Sequence, residues 1–167
     1  MLQYKNVLTE DLIQEIFIER ENRKNQNMWA ISDMFWGKHL LAGTTSTCVT
    51  SVLSEQLRIK VEDNLRDKLP PFNKLSIQHY VWLHGAGIAT HTDHAYNFGA
   101  TIYLNKTWNV NFGGIFLWKQ KNSIDYTAIV PEYNSMMLNT EGEEHLVTPV
   151  ALDAPEVRHT LQIWKDS

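Results

Sequence analysis

Everything after Pro70-Pro71 is written in short β-type runs with no helical segment between them. Eight runs are expected as strands: Leu75–Leu83, Ile88–His94, Gly99–Leu104, Ile115–Lys119, Tyr126–Val130, Ser135–Asn139, His145–Pro149 and Val157–Trp164. Each is rich in β-branched and aromatic residues, and glycine, asparagine or proline separates it from the next. Parallel strands need crossover connections, usually helices, so a doubly wound parallel sheet is excluded. A sandwich or barrel of two antiparallel sheets remains, such as a jelly roll.

The first 70 residues read differently, as a helical support. Thr9 is placed to cap a helix that opens with Glu10 and Asp11 and closes with Arg20, Arg23 and Lys24, an order that complements the helix dipole. Leu12, Ile13, Ile16 and Phe17 give it one apolar face. A second helix is expected from Ser51 to Leu69, because Leu53, Leu57, Val61, Leu65 and Leu69 recur every fourth residue. Pro70-Pro71 stops it. The stretch Asn27–Leu41, with Met28, Trp29, Phe35 and Trp36, is too aromatic for a loose linker and should pack on something or form an interface. The organisation is therefore 1–70 as helical support and 71–167 as a β core, within one domain of 167 residues.

Charge and composition remove several functions. With 15 Lys+Arg against 19 Asp+Glu the net charge is −4, and no basic tract exists to grip a phosphate backbone. Cys48 is the only cysteine, which excludes an internal disulfide and a multi-cysteine zinc site and suits a reducing compartment. No apolar run approaches the roughly 18 residues of a membrane span. The acidic start MLQYKNVLTEDL lacks the apolar core of a signal peptide. A cytoplasmic protein that binds neither nucleic acid nor membrane is expected; the oligomeric state is left open.

Four of the seven histidines, His79, His84, His91 and His94, fall close together. Within that cluster His91-Thr92-Asp93 puts an imidazole and a carboxylate on one side of a strand. A third ligand is available at His145, which opens a late strand. Two histidines and one carboxylate on one face form the triad of non-haem Fe(II) oxygenases and leave positions open for substrate and O₂. Arg158 begins the last strand, Arg-His-Thr-Leu-Gln-Ile-Trp, whose remaining residues look buried. A guanidinium turned into a barrel is costly without an anionic partner, and its planar fork suits a carboxylate. The alternative is an arginine at the rim, paired with Glu156.

These residues resemble a known family. His91-Thr92-Asp93, Ile102-Tyr103-Leu104-Asn105-Lys106-Thr107-Trp108, Gly113-Gly114, His145-Leu146-Val147-Thr148-Pro149-Val150, and Arg158 with Trp164 are similar in order and spacing to the Fe(II)/2-oxoglutarate dioxygenases of the prolyl 4-hydroxylase type. The resemblance covers roughly 75–165. It implies a mainly β fold with N-terminal helices and a double-stranded β-helix core, jelly-roll and cupin-like. It also implies that His91, Asp93 and His145 hold Fe(II), that Arg158 grips the distal carboxylate of 2-oxoglutarate, and that Tyr103 hydrogen-bonds to that carboxylate. O₂ would be consumed, 2-oxoglutarate would go to succinate and CO₂, and ascorbate would serve as reductant. Two departures stand out: an insertion at Leu152–Glu156, and Tyr80 or Trp82 where the family often has one tyrosine.

The resulting expectation is a peptidyl prolyl 4-hydroxylase acting on a proline-containing peptide or protein. Tyr96, Asn97 and Trp108 lie in loops beside the metal strands, where substrate selectivity usually resides. One alternative is a 2-oxoglutarate-dependent hydroxylase of a free amino acid or other small molecule; a more distant one is a non-catalytic cupin-like metal-binding module. A zinc hydrolase of the metallo-β-lactamase type is disfavoured, because its first histidine would fall at Ala89. Gly85–Thr90 lacks the third glycine of a dinucleotide fingerprint. Gly113-Gly114 reads as a hairpin bend. Phe116 and Trp118 share a strand face, as cosubstrate lining or plain core. His39, His79 and His84 are expected to be structural, and His159 should face away from Arg158.

Overall fold

The structure is a computed structural model that describes residues 1–93 and 98–165. Its strands are β1 (Leu2–Lys5), β2 (Ala30–Ile31), β3 (Cys48–Val52), β4 (Leu75–Trp82), β5 (Ile88–His91), β6 (Gly99–Tyr103), β7 (Phe116–Lys119), β8 (Tyr126–Ile129), β9 (Ser135–Asn139), β10 (His145–Val147) and β11 (Arg158–Lys165). Two helices, α1 (Glu10–Asn25) and α2 (Glu55–Leu65), precede the β region. All eight expected runs are present as β4 to β11. They divide between a seven-stranded sheet, β1-β9-β6-β11-β4-β3-β2, and a four-stranded sheet, β5-β10-β7-β8. Every pairing is antiparallel. From β4 to β11 the chain changes sheet at every step except the β7–β8 hairpin, which is the winding of a jelly roll.

The helical reading of the first 70 residues needs correction. Thr9 caps α1 as expected, its side chain accepting from Leu12 N at 3.3 Å. Helix α2 is shorter than its leucine spacing suggested, because Ser54 caps it and residues 48–52 pair with β4 instead. Val49, Thr50 and Val52 are β-branched, and an available sheet edge outweighs the fourfold leucine spacing there. Strands β1 and β2 likewise come from the expected helical part, at the two margins of the large sheet.

The large sheet separates two apolar clusters. On its outer face Leu12, Ile13 and Ile16 of α1 and Leu57, Val61 and Leu65 of α2 pack on Leu75, Ile77, Ile102, Leu138, Leu161 and Ile163. Each fully buried aliphatic side chain there contributes roughly 1.5–3 kcal/mol. The second cluster lies between the sheets and includes Cys48, Tyr80, Trp82, Ile88, Phe116 and Val147. Strand alternation decides the assignment: in β11, Leu161 and Ile163 face the helices, whereas Arg158, Thr160, Gln162 and Trp164 are left for the barrel interior. The candidate site grows from that second face.

His79 and His159 occupy the helix side. Their rings meet at Nε2···Nδ1 3.2 Å, with Phe17 edge-on to both. Burial pushes His79 well below its ordinary range, helped by His159 and Arg20. Burial and Arg20 lower His159 to about 4. Both are neutral in the fold and bind protons more readily once unfolded. Their contribution is therefore intact above the unfolded pKa near 6.5 and is lost as pH falls from there toward 4. Urea midpoints should drop across that window with a slope of up to about 1.4 kcal/mol per pH unit for each histidine. A double His79→Leu, His159→Leu variant removes both polar partners together and should keep its stability at pH 7. It should also flatten the slope; an unchanged slope would place the titration elsewhere.

Candidate active site

His91 closes β5 and His145 opens β10, and the two are direct cross-strand partners in the small sheet. Their ring centroids are 4.3 Å apart. Asp93 lies just beyond the end of β5 and brings Oδ2 to 3.5 Å from His145 Nε2. One donor atom from each of the three residues falls within 4.8 Å of the others. Both imidazoles are held in the same way. His91 Nδ1 lies 2.8 Å from the Ala89 carbonyl and His145 Nδ1 2.8 Å from the Glu143 carbonyl. A carbonyl only accepts, so Nδ1 must donate in each ring, and Nε2 is the nitrogen each ring has available for a metal. Burial, with His145 as the next cause, holds His91 below its ordinary pKa and keeps it neutral. Phe116 stacks on His145 at 5.2 Å and fixes its plane. Two imidazoles and one carboxylate suit a divalent ion that prefers nitrogen and oxygen.

The backbone makes room for this arrangement. Gly99, at the start of β6, lies against the carboxylate: a Cβ there would stand 2.9 Å from Asp93 Oδ2. The triad opens into a cavity of about 590 Å³ between the sheets. Its walls include Tyr80, Trp82, Thr101, Phe116, Gln162 and Trp164. The aromatic stretch before residue 41 closes one side: Trp36 stacks on Tyr80 at 6.1 Å, and His39 and Leu40 also line the space. The expectation that this stretch packs on something therefore holds for Trp36. Met28, Trp29 and Phe35 remain about half exposed.

Arg158 is completely buried, which removes the rim alternative. Among the described residues none of its three guanidinium nitrogens has a hydrogen-bond partner. The group lies 4.8 Å from the Trp82 ring centroid and 5.3 Å from that of Tyr103. Such cation–π contacts soften the desolvation without supplying an acceptor. Burial lowers the Arg158 pKa, while Tyr103 and Cys48 pull it back; an arginine stays charged regardless. The Tyr103 hydroxyl lies beside the guanidinium but outside hydrogen-bonding geometry, and it too is buried without a partner. Its pKa is pushed up to about 12 by burial. Gly114, at φ +60°, closes the other side, where a Cβ would stand 2.6 Å from Arg158 Cδ. The Gly113-Gly114 pair is thus no hairpin bend. It joins a 3-10 turn to β7, and Gly113 bridges Val150.

Thr160 escaped the sequence reading, although period-two alternation from Arg158 would have found it. It pairs with Tyr103 across β11 and β6. Its hydroxyl accepts from Trp82 Nε1 at 2.9 Å and from Gln162 Nε2 at 3.2 Å. Both lone pairs are used, so its own proton is left to donate. Arg158, Tyr103 and Thr160 therefore gather unspent donors in one buried region, the complement of an anion. Of the proposed substrate residues, Tyr96 and Asn97 lie outside the described residues, as does His94. Trp108 donates to the Gly113 carbonyl at 2.9 Å and packs edge-on against Phe112, beside Gly114. His84 bonds the Ala154 carbonyl at 2.9 Å. Tyr80 and Trp82 both line the cavity.

Among solved structures, a Pseudomonas putida prolyl-4-hydroxylase superposes with a TM-score of 0.71 at 16% identity, over 99% of this chain and 92% of that one. The fold is that of the prolyl 4-hydroxylases. A Trichoplax adhaerens prolyl hydroxylase, solved with a hypoxia-inducible-factor oxygen degradation domain peptide, follows at 0.69 and 14% identity, over 98% and 82%. The non-heme α-ketoglutarate-dependent epimerase SnoN of nogalamycin biosynthesis gives 0.65 at 10% identity, over 99% and 78%. No protein-family model and no curated protein sequence matches the chain. At these identities the likeness concerns the prolyl 4-hydroxylase fold alone, which also carries the SnoN epimerase. Reaction and substrate must be argued from the site. No helix among the described residues is long and apolar enough to cross a membrane.

Proposed function

We propose that this chain is an Fe(II)- and 2-oxoglutarate-dependent hydroxylase whose substrate is a prolyl residue within a peptide. One observation carries the class: a triad of two imidazoles and a carboxylate, sharing a barrel with a buried arginine that lacks an anion among the described residues. His91, Asp93 and His145 would hold the metal on one face. Arg158, Tyr103 and Thr160 would take the distal carboxylate of 2-oxoglutarate, which needs several donors and a positive charge together. The metal with bound 2-oxoglutarate supplies the oxidising chemistry: O₂, 2-oxoglutarate and a substrate C–H give the alcohol, succinate and CO₂. The protein's part is to aim the cosubstrate, exclude water and present the target carbon.

Cavity chemistry supports a peptide over a free amino acid. The described lining holds no lysine or arginine, and its ammonium, at Met1, is paired with Glu143 at 2.9 Å, so the carboxylate of a free amino acid would find no unspent cation in front of the triad. Rings such as Trp36, Tyr80 and Trp164 suit the apolar face of a proline held in a neutral backbone. In the test, protein loaded with Fe(II) and ascorbate is given 2-oxoglutarate with either capped proline-containing peptides or free proline. Succinate should form, and the peptide should gain one oxygen on proline by mass spectrometry. Turnover of free proline alone would favour the small-molecule reading, and absence of succinate under every condition would end the oxygenase reading.

A further inference from the structure

The loop between β9 and β10 is organised by one side chain. Asn139, the last residue of β9, is buried and lines the cavity. Its Oδ1 accepts from the backbone N–H of Glu141 at 3.3 Å and of Glu143 at 3.1 Å. Its Nδ2 donates to the Glu143 carbonyl at 3.2 Å. That carbonyl is the same oxygen that receives His145 Nδ1–H. A loop that crosses from the large sheet to the small one is pinned at three points, and the acceptor that sets the plane of His145 is held from behind.

We propose that Asn139 is a positioning residue for the metal-binding imidazole of His145. A carboxamide is what the place requires, since one group must accept twice and donate once at short range. Gly99 supports the reading from the neighbouring strand: it is the cross-strand partner of Asn139 and also the residue that leaves room for Asp93. One rung of the large sheet thus governs two side chains of the triad, neither of which belongs to that sheet's strands. The inference rests on the metal-site reading above.

The test uses Co(II) alone, with affinity measured by competition and geometry by the visible d–d spectrum. Wild-type protein should bind one Co(II), and His145→Ala should lose it. Asn139→Leu keeps the volume and removes every bond, so Co(II) affinity should fall about 10–100-fold with an altered spectrum. Asn139→Asp keeps both acceptor bonds but sets a carboxylate oxygen against the Glu143 carbonyl where the donor stood, so it breaks that one bond while leaving the two N–H anchors of the loop in place. Its Co(II) spectrum should still be shifted, because the bond behind His145 is gone. Wild-type affinity and spectrum in both variants, whatever their urea midpoints, would overturn the proposal and leave Asn139 a loop residue. Failure of the wild type to bind Co(II) would instead reject the metal site itself.

Discussion

Replacing Arg158 with methionine should make the metal-free protein more stable and at the same time abolish its response to 2-oxoglutarate. The side chain is wholly buried, with its three nitrogens unpartnered among the described residues. Stacking on Trp82 and Tyr103 recovers part of the desolvation, up to about 2 kcal/mol for a desolvated contact. An uncompensated buried charge nonetheless costs several kcal/mol. Methionine fills a similar length without a charge and adapts to irregular space. A gain of about 1–3 kcal/mol follows, which for a chain of this size raises Tm by roughly 2–10 °C. Binding should move the opposite way. Metal-loaded wild-type protein at about 100 times the dissociation constant for 2-oxoglutarate gains about 2.7 kcal/mol, whereas the variant should show no shift. Arg158→Lys keeps the charge and loses the fork, so it should bind weakly. A variant that is destabilised like a truncated core residue, or that still responds to 2-oxoglutarate, would mean Arg158 is structural.

That stability conflict explains why part of the site was legible in the sequence. Arginine at the head of a largely buried strand is locally inconsistent, and local inconsistency marks functional places. His91-x-Asp93 was legible for a related reason, since a rigid strand end fixes the relation of residues two apart. All eight core strands could be marked because turn residues separate short β-branched runs. The N-terminal third was harder. Cys48–Val52 sits next to leucines spaced every four residues, and only the free edge of β4 decides in favour of a strand. Thr160 shares a strand face with Arg158 by alternation, but neither it nor Asn139 carries a local sign of what it bonds. Their roles appear once β11 lies beside β6 and β4, and once the 139–145 loop closes on itself.

Loss of Asp93 or His145 should cost more than any other change considered, and for different reasons. The proposed site holds a metal dication, the Asp93 carboxylate, the 2-oxoglutarate dianion and the Arg158 cation, which together sum to zero. Asp93→Asn keeps the shape and removes one negative charge, so the loaded site carries an uncompensated positive charge in a water-poor barrel. His145→Ala leaves the charge balance intact but removes a donor, the stacked partner of Phe116 and the group that the Glu143 carbonyl orients. Either variant should lower kcat/KM for 2-oxoglutarate-dependent turnover by at least about 10³-fold, equivalent to roughly 4 kcal/mol of transition-state stabilisation. Their metal-free stabilities should diverge. Asp93 has no lysine or arginine partner among the described residues, so Asp93→Asn should sit within about 0.5 kcal/mol of wild type. His145→Ala opens a cavity beside Phe116 and should lose about 1–3 kcal/mol. Metal content, turnover and urea midpoints measured on both variants distinguish these outcomes. Full turnover in either one would remove that residue from the metal site, and with both retained the triad would have to be sought elsewhere in the barrel.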